Sequence, residues 1–86
     1  MEIIKNKNGN ALEVVLQGRL DTTTAPQLEA VVKEELDGVE VLTFDFLKLD
    51  YISSAGLRVL LAAQKTMNKQ GSMSVKNVNS DINEVF

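Results

Sequence analysis

Apolar and polar positions along this chain change period several times, and each change marks an element. Glu2 to Lys5 reads as a short strand. Lys7-Asn8-Gly9-Asn10 follows as a turn, because Asn and Gly tolerate the positive φ of tight hairpin loops. From Ala11 to Gln17, Leu12, Val14 and Leu16 alternate with Glu13 and Gln17. Val15 interrupts the alternation, which predicts a strand partly covered on both faces. The two runs predict an antiparallel hairpin with the first strand at a sheet edge. Beyond Gly18 to Pro26 the period lengthens. Thr24-Ala25-Pro26-Gln27 fits a capping box with Pro in the first turn, ahead of a helix running to about Leu36. Leu28, Val32 and Leu36 share one helix face with Val31 beside them, while Glu29, Lys33 and Glu34 face water and Glu29 and Lys33 form a favourable i,i+4 pair. Asp37-Gly38 ends the helix, with Gly in the left-handed position.

Val39 to Leu47 is the third predicted strand, apolar on both faces apart from Glu40, Thr43 and Asp45, and so placed centrally. Asp45 either lies toward a solvated sheet end or helps shape a site near Ser54. The apolar run reaches Leu49 and enters Asp50-Tyr51-Ile52-Ser53-Ser54-Ala55-Gly56-Leu57, a strand-to-helix turn. The second helix runs from about Ser54 to Gln70. Leu57, Val59, Leu60, Leu61, Ala62 and Ala63 make its first turns apolar on most sides, which predicts deep burial, with Arg58 the polar exception. Lys65 and Lys69 suit the helix dipole and Gly71 terminates the helix. Ser72 to Val78 alternates through Met73 and Val75 as a fourth strand, and Ser80-Asp81 opens a last short helix bearing Ile82, Val85 and Phe86.

Strands alternating with helices after a hairpin predict an α/β fold, βαβαβα with right-handed crossovers. The expected sheet is mixed, mostly parallel and four-stranded, in the order 1-2-3-4, with both long helices on one face. The two helix-start loops, Asp21–Pro26 and Ser53–Gly56, both follow parallel strands and share the carboxyl edge of the sheet, where such folds place their sites. This topology alone brings Asp21 near Ser54.

Composition narrows the chemistry. The 86 residues make one small domain with a thin core, and a net charge of −3 argues against nucleic acid and against a polybasic membrane contact. There is no Cys, hence no disulfide or zinc thiolate, and no His, the commonest general base and metal ligand. No cofactor or metal is expected. No run approaches transmembrane length and the start Met1-Glu2-Ile3-Ile4-Lys5 is unlike a signal peptide, so the cytoplasm is the default location. A serine at a helix start is either an N-cap for free backbone N–H groups or a phosphoacceptor, since the same groups and the dipole favour phosphate.

Tyr51-Ile52-Ser53-Ser54-Ala55-Gly56-Leu57-Arg58-Val59-Leu60 resembles the signature of the STAS family, the bacterial anti-sigma factor antagonists. Leu16-Gln17-Gly18-Arg19-Leu20-Asp21, followed by Thr22, Thr23, Thr24 and Ala25, is similar to the family's first motif, and Gly71 and Phe86 also fit. The resemblance puts Ser54 on the phosphoacceptor position and Ser53 where Asp is usual, which leaves Ser53 as a second candidate acceptor. It implies a partner-switching protein. The unphosphorylated form would bind an anti-sigma factor that is a serine kinase of the GHKL ATPase type, phosphorylation would break the complex, and a phosphatase would reset it. Partner binding would fall to Asp21, Thr22, Thr23, Ser53, Ser54, Ala55, Gly56 and Arg58, with ATP held by the kinase. The alternative is a STAS module of another system: a lipid-transport complex subunit, a stressosome component or a sensor. An enzyme is disfavoured, because Ser54 has no His to activate it and Lys48 or Lys65 as base has no supporting motif. Family members continue through a closing helix beyond this Phe, so the chain is truncated, unusually short or completed by another chain. Ile82, Val85 and Phe86 then predict self-association through an uncovered apolar surface.

Overall fold

The computed structural model describes residues 1–78. Strand β1 (Glu2–Asn8) pairs antiparallel with β2 (Ala11–Leu20) across the Gly9-Asn10 turn. Helix α1 (Ala25–Glu35) leads to β3 (Val41–Ile52), α2 (Ser54–Gln70) and β4 (Ser72–Lys76). The sheet order is β1-β2-β3-β4, with β2, β3 and β4 mutually parallel. This is the mixed four-stranded architecture expected from the alternation of periods. The expected last helix, with Ile82, Val85 and Phe86 and the self-association built on them, lies outside the described residues.

One face of the sheet carries the core. Leu12, Val14 and Leu16 of β2 and Leu42, Phe44 and Phe46 of β3 are buried in one cluster with Leu28 and Leu36 near α1 and Val59, Leu60, Ala63 and Met67 of α2. The Phe44 and Phe46 rings, two residues apart and therefore on the same face, lie 6.2 Å centroid to centroid. Gln70 at the end of α2 donates from Nε2 to the carbonyls of Leu36 and Val39, at 2.5 and 2.6 Å, and so ties the C-terminus of α1 to α2.

Several expectations change in detail. The hairpin strands are longer than predicted, because pairing continues to Asn8↔Ala11 and, in β2, on to Leu20↔Ile52. Strand β3 spans 41–52 rather than 39–47 and, among the described residues, is covered on one face only: Val41 is 44% and Leu47 66% exposed, since both helices occupy the other face. Apolar residues on both sides of a strand do not require two covered faces. Helix α2 is likewise one-sided, with Leu61 and Ala62 exposed. Strand β4 stops at Lys76 because Asn77 takes φ 59 and turns its amide to Asp45. Gly38 holds the expected left-handed conformation, φ 80. Gly71, by contrast, has an extended φ, and its role is close approach: a Cβ there would overlap the Glu40 backbone. Asp45 is mid-strand on the open face, bonded to Leu47 N and Asn77 Nδ2, groups outside the serine turn.

Candidate functional site

The site is built where β2 and β3 end together. Leu20 pairs with Ile52, and the backbone N–H of Ser53 donates to the Leu20 carbonyl at 2.8 Å, so the two helix-start loops are joined by main chain. Ser53 then adopts extended φ/ψ (−98, 172) and caps α2, its hydroxyl accepting from Gly56 N at 3.3 Å and its carbonyl from Leu57 N at 2.9 Å. The two serines therefore stand in different surroundings. Ser53 is the N-cap. Ser54 is the first helical residue, exposed, with no side-chain hydrogen bond among the described residues. Gly56 is buried beneath the turn, where a Cβ would meet Leu20 Cγ at 2.5 Å. Its contribution in this fold is close packing. Ala55 is half-buried against the core.

The first loop is organised by Asp21. Its Oδ1 accepts from the backbone N–H of Thr23 at 3.0 Å and of Thr24 at 3.1 Å, a local turn of the kind Asp favours. Thr24 does not cap α1 as the capping box predicts. Its backbone is already helical (φ −97, ψ −19) and its hydroxyl turns back, donating to the Arg19 carbonyl at 2.7 Å and accepting from Asp21 N at 2.8 Å. The Asp21 carbonyl instead receives Ala25 N at 2.8 Å. Hydrogen bonding from the Thr24 backbone N–H, reinforced by Thr23 N, the Thr24 hydroxyl and the Arg19 charge, holds the Asp21 carboxyl below its ordinary 3.8 against the opposing effect of burial. Thr22 and Thr23 are exposed.

Two residues beside this loop carried no predicted role. The Arg19 guanidinium lies 4.3 Å over the Tyr51 ring, with Nε 3.8 Å from Asp21 Oδ2. Arg19 and Tyr51 are register partners across β2 and β3. Both stand in the motifs quoted above, but their pairing follows only once the parallel register past the irregularity at Gly18/Arg19 is known.

Thr22, Ala25 and Pro26 on one side and Ala55, Arg58 and Ala62 on the other line an open groove of about 720 Å³ between α1 and α2. Asp21, Thr22, Thr23, Ser53 and Ser54 thus gather at one sheet edge, and Arg58 stands one helical turn along from Ser54. Among the described residues no group of His, Cys, Asp or Glu could hold a metal ion, and no helix is long and apolar enough to cross a membrane. Lys65 is roughly 16 Å along α2 from Ser54 at 1.5 Å per residue, too far to act on its hydroxyl.

Comparison with known proteins fits this geometry. The family described as Mlab, STAS domain, matches residues 3–86. A Bordetella bronchiseptica protein named as a candidate anti-sigma factor antagonist, BtrV, is 36% identical over 88 residues, covering 100% of this chain and 76% of that protein. Among solved structures, the anti-sigma factor antagonist SpoIIAA in its unphosphorylated form superposes with a TM-score of 0.81 at 18% identity, covering 99% of this chain and 81% of that one. The Bacillus cell fate determinant SpoIIAA in its phosphorylated form gives 0.81 at 17% identity, covering 99% and 80%. An anti-sigma factor antagonist from Mycobacterium paratuberculosis gives 0.77 at 24% identity, covering 86% and 64%. By its family match, its 36% identical relative and its fold, this chain belongs to the STAS domain family.

Proposed function

We propose that this protein is an anti-sigma factor antagonist, a binding protein and kinase substrate rather than an enzyme, switched by phosphorylation of Ser54. The observation that carries the reading is the division of labour in the serine turn. Ser53 is consumed by capping, whereas Ser54 is exposed at the first position of α2 with its hydroxyl unengaged among the described residues. The relationship to BtrV supports the class of function. A phosphate adds about −1.5 to −2 charge and is tolerated at a helix N-terminus, so modification would alter the surface without unfolding the domain. The partner is an anti-sigma factor with serine-kinase activity, and a phosphatase restores the binding form. Asp21, Thr22, Thr23, Ser54 and Arg58 form the contact region, with Ser53, Ala55 and Gly56 holding its shape.

The test is incubation of the purified chain with the anti-sigma factors of its source organism and ATP, with pairwise binding measured before and after. Binding that is lost on phosphorylation supports the reading. A chain that binds none of them, and is recovered instead with a transporter ATPase, refutes it.

A further inference from the structure

Both helices pack on one face of the sheet, and among the described residues nothing covers the other. Five large apolar side chains are exposed among those residues, and four of them, Ile4, Val41, Leu47 and Tyr51, stand on the open face. Val15 lies among them, half-buried, as the register partner of Ile4 on one side and Asp45 on the other. Most polar groups of this face are already engaged within the chain. Glu13 pairs with Lys76 at 2.7 Å, Asp45 accepts from Leu47 N and Asn77 Nδ2, and Arg19 lies over the Tyr51 ring. Glu2 and Lys48 differ: both are exposed, and neither forms an ion pair among the described residues. Both are register partners of Gln17, so they flank it in one row, Glu2 on β1 and Lys48 on β3.

We propose that the open face is the interface of a homodimer, two copies of the chain stacked sheet on sheet about a two-fold axis that runs along β2. The occupant is a second copy because the face is complementary to itself. Rotation about β2 exchanges the places of β1 and β3, so Glu2 of each copy comes opposite Lys48 of the other. The two charges left unpaired within one chain then pair across the interface, once on each side of the axis, as an isologous contact requires. Val15, on the axis strand, meets its own copy. An axis along the strands also keeps the strands of the two sheets aligned, the usual arrangement of stacked sheets. At about 3.3 Å per residue and about 4.8 Å between strands, the face covers roughly 500 Å². Two copies bury roughly 1,000 Å², the lower end of what a specific interface needs, so the dimer is weak and concentration-dependent. The same axis turns the carboxyl edges of both sheets the same way. Both serine turns then emerge at one end of the dimer, with α2 on the side of the sheet away from the interface. The dimer is independent of the phosphorylation switch.

The test is sedimentation equilibrium of the full chain over a wide range of concentration, with melting measured on every variant. Leu47→Glu, Glu2→Lys, Lys48→Glu and the double variant Glu2→Lys/Lys48→Glu are compared with the parent, and Leu61→Glu on the outer side of α2 is the control. The expected result is a monomer–dimer equilibrium in the parent, weakened about tenfold or more by Leu47→Glu, the scale of losing a buried leucine and burying a charge in its place. Each single charge reversal weakens association, and the double variant recovers it, the signature of a pair across the interface. Leu61→Glu associates as the parent does. At low concentration all variants melt with the parent, because the altered side chains are exposed. A parent that stays monomeric at its highest soluble concentration overturns the proposal. So does a dimer that Leu47→Glu leaves intact; if Leu61→Glu dissolves it instead, association belongs to α2. A double variant no better than the single reversals overturns the axis along β2, and with it the self-complementary pairing on which the dimer is built.

Discussion

Substituting Gly56 by alanine tests the joint on which the site is built. The added Cβ would meet Leu20 Cγ at 2.5 Å, Cδ2 at 2.9 Å and the Leu20 carbonyl oxygen at 3.2 Å. Leu20 is fully buried, so its side chain cannot swing into solvent to make room. Overpacking of this kind costs about 1–3 kcal/mol, and the better helix propensity of Ala returns up to about 1 kcal/mol. The net expectation is a loss of about 1–2 kcal/mol, or roughly 4–16 °C in melting temperature for a domain of this size. Thermal denaturation followed by circular dichroism measures it. A double-mutant cycle assigns it: Leu20→Ala should cost less in the Gly56→Ala background than in the parent, because the clash is then relieved. Gly71→Ala is the harsher comparator, since its Cβ would meet the Glu40 backbone, whose carbonyl also receives Ser72 N at the start of β4. A Gly56→Ala protein that melts with the parent, with additive Leu20 and Gly56 effects, would refute the seating of α2 on the end of β2.

Three further expectations follow from the loops and the open face. Ser53→Ala removes the cap of α2 and should lower stability by about 0.5–1 kcal/mol, the lower part of the range for N-caps because the bond to Gly56 N is long at 3.3 Å; Ser54→Ala should leave melting unchanged, and reversed effects would exchange the roles of the two serines. Asp21 and Asp45 should titrate below 3.8 in carboxyl NMR, Asp21 chiefly through the Thr24 N–H and Asp45 chiefly through the Asn77 amide. Because the folded values are depressed, their stabilisation is complete above 3.8 and lost as pH falls through the folded values, so a midpoint at or above 3.8 for either removes its share of acid sensitivity. Asp21→Asn keeps an oxygen acceptor for Thr23 N and Thr24 N but deletes the charge, so it should melt near the parent and lose partner binding; the reverse outcome would make Asp21 structural alone.

The order of elements and the shared edge of the two loops were legible because the hydrophobic period changes sharply at each boundary and parallel connections leave little topological freedom. The helix from Ser54 to Gln70 has the bounds its pattern predicts. Legibility failed where apolar residues face outward. Val41, Leu47 and Leu61 look like core in sequence, yet among the described residues no layer covers the open face of β3 or the outer side of α2. The capping box failed because the Thr24 backbone is already helical and its hydroxyl turns back into the loop, where it accepts from Asp21 N and donates to the Arg19 carbonyl, partners that a local motif does not show. The pairing of Arg19 with Tyr51 required the register across an irregularity, which periodicity does not encode.

In the function proposed here Ser54, and not its capping neighbour Ser53, receives the phosphate that controls partner binding. The most direct measurement is mass-spectrometric mapping after reaction with the partner kinase and ATP, on the parent and on Ser54→Ala. The expected result is one phosphate on Ser54, none on Ser54→Ala, and a Ser54→Ala protein that stays bound to its partner in the presence of ATP. Phosphate on Ser53 or on Thr22–Thr24, or release of Ser54→Ala by ATP as readily as the parent, would contradict it.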